Sequence, residues 1–198
     1  TFIEFGVGDY SESNTRFLLM NNNFAGLVMD CSEKNIQAIK SSYYYWKYNL
    51  VAKAAFITKD NINDLITTEK FERDVTLLHI DIDGNDYYIW EALHCVDPII
   101  VVVEYNSLFG IERPIAIPYD ERFDRMKAHY SGLYWGASLA SFYELAKERK
   151  YSFIGCNSAG NNAYFLRNDK LNDKVKPVEL KKGFVESKYR ESRNKAGQ

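Results

Sequence analysis

Five short apolar segments, each closing on a carboxylate or an amide, constrain this chain more than any other feature. Phe2–Phe5 ends in Glu4-Phe5-Gly6-Val7-Gly8, Gly26–Met29 ends at Asp30, and Ala54–Thr58 leads to Asp60-Asn61. Val75–Ile82 carries Asp81 and Asp83 at its end, and the β-branched run Ile99–Val103 stops at Glu104-Tyr105-Asn106. Segments of helical spacing lie between them: Thr15–Met20, Glu33 to about Tyr48 behind a Ser32 cap, a short stretch through Ile66, and Asp86–Leu93. Such alternation specifies a parallel sheet with helices on both faces, and an uninterrupted apolar run such as Ile99–Val103 fits a strand buried on both sides. After a long excursion, Ser107–Gly136, a helix over Ser138–Lys150 precedes Tyr151–Cys156 and Ala163–Arg167. The polar turn Asn157–Asn162 joins these two as a hairpin. The expectation is an α/β fold with a mostly parallel seven-stranded sheet closed by a C-terminal antiparallel β-hairpin.

Composition narrows the class. With 198 residues, 46% hydrophobic and 26% charged, the chain has enough core for one folded domain and is not a disordered one. No apolar run is long enough to span a membrane. The net charge of -2 speaks against a nucleic-acid partner. It is uneven: residues 168–198 carry about +4, leaving the body at about -6. That basic tail reads either as a solvated appendage or as a lid or anion contact. Cys31, Cys95 and Cys156 form neither a disulfide framework nor a metal knuckle. Three reduced thiols and no visible signal peptide point to a cytoplasmic protein. Because Thr1 opens directly in a strand-like run, upstream residues are expected to be missing. Homo-oligomerisation is compatible with all of this.

Ligands of open α/β sheets sit at the carboxyl ends of the strands, where the polar residues of this sequence gather. Gly6 and Gly8 allow a sharp turn and close approach to a ligand. The dinucleotide fingerprint GxGxxG would place a third glycine where Ser11 stands. Asp30 offers two adjacent oxygens suited to the two hydroxyls of a ribose; its plainer reading is a solvated turn acid. A cleft lined with carboxylates attracts a cation and makes a poor cradle for pyrophosphate.

Glu4-x-Gly6-x-Gly8, the acid Asp30 and the acid Asp81 together resemble the class I S-adenosylmethionine-dependent methyltransferases, a Rossmann-like family whose sixth and seventh strands the hairpin Tyr151–Arg167 is similar to. The segment Leu77–Asp86 (LLHIDIDGND) resembles the "KIDxEG" region of the FkbM-type small-molecule and sugar O-methyltransferases, with His79 in place of Lys and Asp83 in place of Glu. Glu104 after the fifth strand fits the same type. The resemblance covers about residues 1–167, a cofactor-binding methyltransferase domain, with 168–198 as the tail. It implies that Glu4, Gly6 and Gly8 cradle the methionine part of S-adenosylmethionine, and that Ser13, Asn14 and Thr15 offer donors to its carboxylate. It further implies that Asp30 takes the ribose, that Asp60 and Asn61 lie near the adenine, and that Asp81 sits beside the amino group or sulfonium.

The partner expected for this site is a small hydroxylated molecule. If the fourth strand stays regular, His79, Asp81 and Asp83 share a face. Two chemistries fit: a general base drawn from Asp83, His79 or Glu104, or Mg²⁺ held by Asp81 or Asp83 with Glu104 and Asn106. His79 reads equally as a satisfied core histidine, and Glu104 and Asn106 as loop anchors. Tyr119, Tyr130, Tyr134 and Trp135 in the long excursion are placed to stack on a ring or to pack beneath the loop. The competing functions are an NAD(P)-dependent Rossmann oxidoreductase, disfavoured by Ser11 and the hairpin, and a cofactor-binding interaction module without catalysis.

Overall fold

A computed structural model describes residues 1–73, 75–188 and 194–196. In chain order its elements are β1 (Phe2–Phe5), α1 (Arg16–Asn22), β2 (Gly26–Asp30), α2 (Glu33–Lys40), α3 (Tyr43–Lys47), β3 (Leu50–Ala54) and α4 (Ile62–Thr68). There follow β4 (Leu77–Ile80), α5 (Asp86–Ala92), β5 (Ile100–Glu104), α6 (Arg125–Ala128), α7 (Leu139–Glu148), β6 (Tyr151–Cys156), β7 (Asn162–Arg167) and α8 (Leu180–Gly183). The seven strands form one sheet in the order β3-β2-β1-β4-β5-β7-β6, parallel except for β7, which runs antiparallel to both β5 and β6. This is the expected Rossmann-like α/β architecture with its closing antiparallel hairpin. Among the described residues no helix is long and apolar enough to cross a membrane.

Strand alternation divides the core. Ile3, Phe5, Leu78, Ile80, Val101 and Val103 project to one face, where they join residues of α4, α5 and α7. Phe2 and Val28 project to the other, against Leu19 of α1 and Ile36 and Ile39 of α2. Burying each such side chain contributes about 1.5–3 kcal/mol. Caps fix the helix entrances: Ser32 Oγ accepts from Asn35 N at 3.3 Å, and Ser138 Oγ from Ser141 N at 3.1 Å. At the exit of α5 the Arg149 guanidinium donates to the carbonyls of Trp90 (2.9 Å), Glu91 (3.2 Å) and Leu93, groups that helix geometry leaves without partners.

Several boundaries depart from the sequence expectation. The third strand is Leu50–Ala54, not Ala54–Thr58, because its ladder with β2 pairs Gly26 with Leu50 and Asp30 with Ala54. The chain then leaves the sheet as a turn tied by Asn61, whose carboxamide accepts from Thr58 N (2.9 Å) and donates to Phe56 O (2.9 Å). The helix expected over Glu33–Tyr48 breaks into α2 and α3 where Ser41 and Ser42 donate their hydroxyls to the Gln37 and Ile39 carbonyls. The fourth strand is Leu77–Ile80. Asp83 takes a left-handed φ of 60°, so it does not continue the alternation that would align it with His79 and Asp81.

The basic segment after Arg167 lies on the body through residues 178–187. Val178 N donates to Phe153 O at 2.8 Å, and Phe184 packs its ring 6.2 Å from that of Tyr105. Tyr105 Oη donates to Val185 O, and Ser187 N to Ser107 Oγ at 3.0 Å. Residues 184–188 thereby return to the carboxyl end of β5.

Candidate functional site

The carboxyl ends of the parallel strands open onto a cavity of about 1370 Å³. Gly6 and Gly8 after β1, Asp30 at the end of β2, Asp81 and Asp83 after β4, Glu104 at the end of β5 and Asn106 just beyond it all line it. A smaller cavity of about 460 Å³ shares Gly6, Gly8 and Asp81 and reaches back to Glu4, Ser13, Asn14 and His79. The residues expected at the ends of the first, second, fourth and fifth strands therefore meet on one rim, apart from Glu4, while those expected after the third strand do not reach it.

The glycine loop shows why those residue types were needed. Gly6 has φ +72°, and a Cβ there would lie 1.5 Å from the Asp81 carbonyl oxygen, so the ends of β1 and β4 approach as closely as two backbones can. Gly8, at φ +56°, faces open space. Its N–H donates to Asp30 Oδ2 at 2.9 Å, while Asp30 Oδ1 accepts from Ser32 N (2.8 Å) and Asn35 Nδ2 (3.0 Å). Three acceptor positions of Asp30 are thus used locally, which fixes the carboxylate at the cavity wall with capacity for one further donor.

Glu4 does not reach the larger cavity. Its carboxylate accepts from Ser13 Oγ (2.7 Å), Asn14 N (3.0 Å) and Thr15 Oγ1, and pairs with His79 Nδ1 at 2.8 Å. The donors expected to meet a ligand carboxylate are instead turned on Glu4, which binds the loop before α1 to the sheet. Burial opposes the charge on Glu4, but His79 and the two hydroxyls outweigh it and hold its pKa below the ordinary value; the same contact raises that of His79 against burial. His79 also stands 3.2 Å from Asn14 Nδ2 through Nε2. Both ring nitrogens are engaged and the ring is buried, so His79 is a satisfied core histidine and not a base facing an acceptor.

The metal set does not assemble. Asn106 donates from Nδ2 to Leu133 O and Trp135 O, both at 3.0 Å, and accepts from Leu108 N at 3.1 Å, so its amide anchors the excursion. Asp83 has 71% of its side chain exposed and meets Arg125 Nη1 at 3.3 Å. Among the described residues no group of three or more His, Cys, Asp or Glu side chains is placed to hold an ion. The residues therefore do not fit the expected Mg²⁺.

Asp60 and Asn61 do not line the cavity; Ala55, Phe56 and Ile57 do. Phe56 is 54% exposed there, an apolar ring offered at the end of β3. The sequence pattern places this run inside a strand and so conceals it. It also conceals Asp86, the first residue of α5, whose carboxylate accepts from Ile82 N (3.1 Å) and Gly84 N (3.0 Å) and shapes the turn after β4. Burial first, then Asp81, pushes Asp86 up to about 7. Burial likewise raises Asp81 to about 6, with His79 pulling the other way, and raises Glu104 well above the ordinary range with Asp81 and Asp86 adding to it. Asp81 and Glu104 thus stand together at one end of the cavity, with Asp86 buried outside its lining.

Over that cluster lies the excursion. The Arg125 guanidinium sits 4.5 Å over the Trp135 ring and its Nε donates to Gly132 O at 2.8 Å. Of the aromatics expected to overhang the site, Trp135 lines the cavity, whereas Tyr119, Tyr130 and Tyr134 do not. Ser187 and Lys188 of the returning tail complete the wall.

No family model matches the chain, and no curated protein matches it. Among solved structures, the methyltransferase domain of bacterial CtHen1-CN is 15% identical, with a TM-score of 0.46 over 84% of this chain and 89% of that one. An S-adenosylmethionine-dependent methyltransferase from Clostridium acetobutylicum ATCC 824 is 11% identical, with a TM-score of 0.42 over 90% of this chain and 84% of that one.

Proposed function

We infer that the chain is an S-adenosylmethionine-dependent methyltransferase acting on a hydroxyl of a small molecule. The observation that carries this reading is the joint made by Gly6, Gly8 and Asp30: a glycine turn pressed onto the end of β4, fastened to an acid that is itself held at the cavity wall. The antiparallel β7 beside β5 supports it, since that hairpin is the feature expected of class I methyltransferases and not of a dinucleotide-binding sheet. The FkbM-type small-molecule acceptors are the proposed group within that class, on the strength of Leu77–Asp86 and Glu104.

The residues fit the cofactor. Asp30 would hold the ribose, Phe56 and Ile57 the adenine, and Asp81 the amino group, with Gly8 leaving room above the turn. When bound, the cofactor supplies an electrophilic methyl group on a positively charged sulfur. Methyl transfer to oxygen needs the acceptor aligned and its proton removed. Glu104 is the carboxyl that ends β5 on the cavity wall, and its carboxylate form is the group that would receive that proton. Asp81 and Asp83 shape the same wall, and Arg125 and Trp135 close it from above.

Thermal stabilisation by S-adenosylhomocysteine and by NADH, measured side by side, tests the reading. A ligand at about 100 times its dissociation constant adds about 2.7 kcal/mol. S-adenosylhomocysteine is expected to stabilise the chain, and stabilisation by NADH alone would sink the proposal.

A further inference from the structure

We propose that the acceptor is an amino alcohol, its ammonium group held by Glu104 and Asn85 on the wall beneath Trp135. This deepens the methyltransferase reading and rests on it for the role of the neighbouring hydroxyl.

Asn85 is 7% exposed and belongs to the cavity wall. Its Nδ2 donates to Asp120 O at 2.8 Å, which fixes the orientation of the amide and leaves Oδ1 as an acceptor with no partner. Glu104, on the adjacent strand end, likewise has Oε2 buried and without a partner. A buried polar atom without a partner carries a penalty that a bound donor relieves. Both unmet atoms are acceptors. A hydroxyl brings one donor and can answer only one of them, whereas an ammonium brings three.

Charge points the same way. Asp81, Asp86 and Glu104 act on one another, and the nearest cation, Arg125, is already held by Asp83, Gly132 O and the Trp135 ring. Asp86 has both its oxygens on backbone N–H groups. In the proposed reading Asp81 serves the cofactor, so Glu104 and Asn85 remain for the acceptor. With Oε2 of Glu104 taken by the ammonium, the second carboxyl oxygen is left for the proton of a hydroxyl on the next carbon. Phe123 and Trp135 supply an aromatic wall for the rest of the molecule.

The test uses three probes alike but for one group: 2-amino-1-phenylethanol, 1-phenylethane-1,2-diol and mandelate. Each is titrated calorimetrically into the full chain with and without S-adenosylhomocysteine. The amine is expected to bind at least about tenfold more tightly than the diol, and mandelate most weakly. Glu104→Gln and Asn85→Ala are each expected to erase most of that preference. Equal binding of amine and diol, preference for mandelate, or no binding of the amine would overturn the proposal; the unaltered chain decides this even if a variant fails to fold. Amine selection without any response to S-adenosylhomocysteine would remove the methyltransferase reading and keep the ammonium site, and the converse result would do the opposite.

Discussion

Glu4 and His79 are cross-strand neighbours on β1 and β4, and their side chains meet at 2.8 Å with both of them buried. The pair holds the loop before α1 through Ser13, Asn14 and Thr15, so a strand-end acid expected at the ligand instead fastens the segment that frames it.

Removing one partner leaves a buried charge uncompensated. His79→Leu is expected to cost about 3–5 kcal/mol in urea unfolding. The Glu4→Gln, His79→Leu double variant is expected to recover part of that loss. A loss below about 1 kcal/mol for His79→Leu would show that the pair is not ionised.

The two glycines are expected to respond differently. Gly6→Ala drives a Cβ into the Asp81 carbonyl at 1.5 Å, so both fold stability and S-adenosylhomocysteine binding should fall together. Gly8→Ala meets open space and carries only the left-handed backbone penalty, about 1–2 kcal/mol. Thermal melts with and without the ligand check both; equal damage from the two variants would contradict this geometry.

Stability should depend on pH in two opposed ways. Asp86 is raised from 3.8 to about 7. The folded state therefore binds its proton more tightly than the unfolded state, and stability from this group falls as pH rises between those values. Glu4, lowered from 4.5, stabilises above that value and loses its contribution as pH falls through its folded pKa. His79, raised from 6.5, stabilises below that value and loses its contribution as pH rises through its folded pKa. Denaturant midpoints between pH 4 and 8 should thus decline less steeply in Asp86→Asn than in the unaltered chain. An unchanged slope would mean that Asp86 does not retain its proton.

Asn106 is expected to behave as a loop anchor. Asn106→Ala removes three hydrogen bonds and should cost about 1–3 kcal/mol, with melting midpoints the same in Mg²⁺ and in EDTA. A midpoint that falls in EDTA for the unaltered chain only would restore Asn106 to a metal site.

What the sequence displayed was the rhythm of strands and helices and the acids at their ends, because both follow from local patterning. What it hid depends on contacts between distant segments. Ala54–Thr58 has the composition of a strand, yet the register with β2 places Leu50–Ala54 in the ladder and turns Phe56 toward the cavity. Asn106 has the chemistry of a ligand, but its amide is consumed by carbonyls of residues 133 and 135, which no spacing reveals. Asp86 has the look of an ordinary first residue of a helix; its two backbone bonds are made across the turn in which Asp83 is left-handed.

The return of residues 184–188 to Tyr105 and Ser107 bears on how the cavity comes into being. Its walls join Gly6 to Lys188, residues with six of the seven strands between them in sequence. Pairing so distant in sequence forms late, since the entropy of closing the intervening chain must be met first. During synthesis the glycine turn emerges long before the strap that completes the wall. A chain stopped before Val185 would carry the full sheet yet an unfinished pocket.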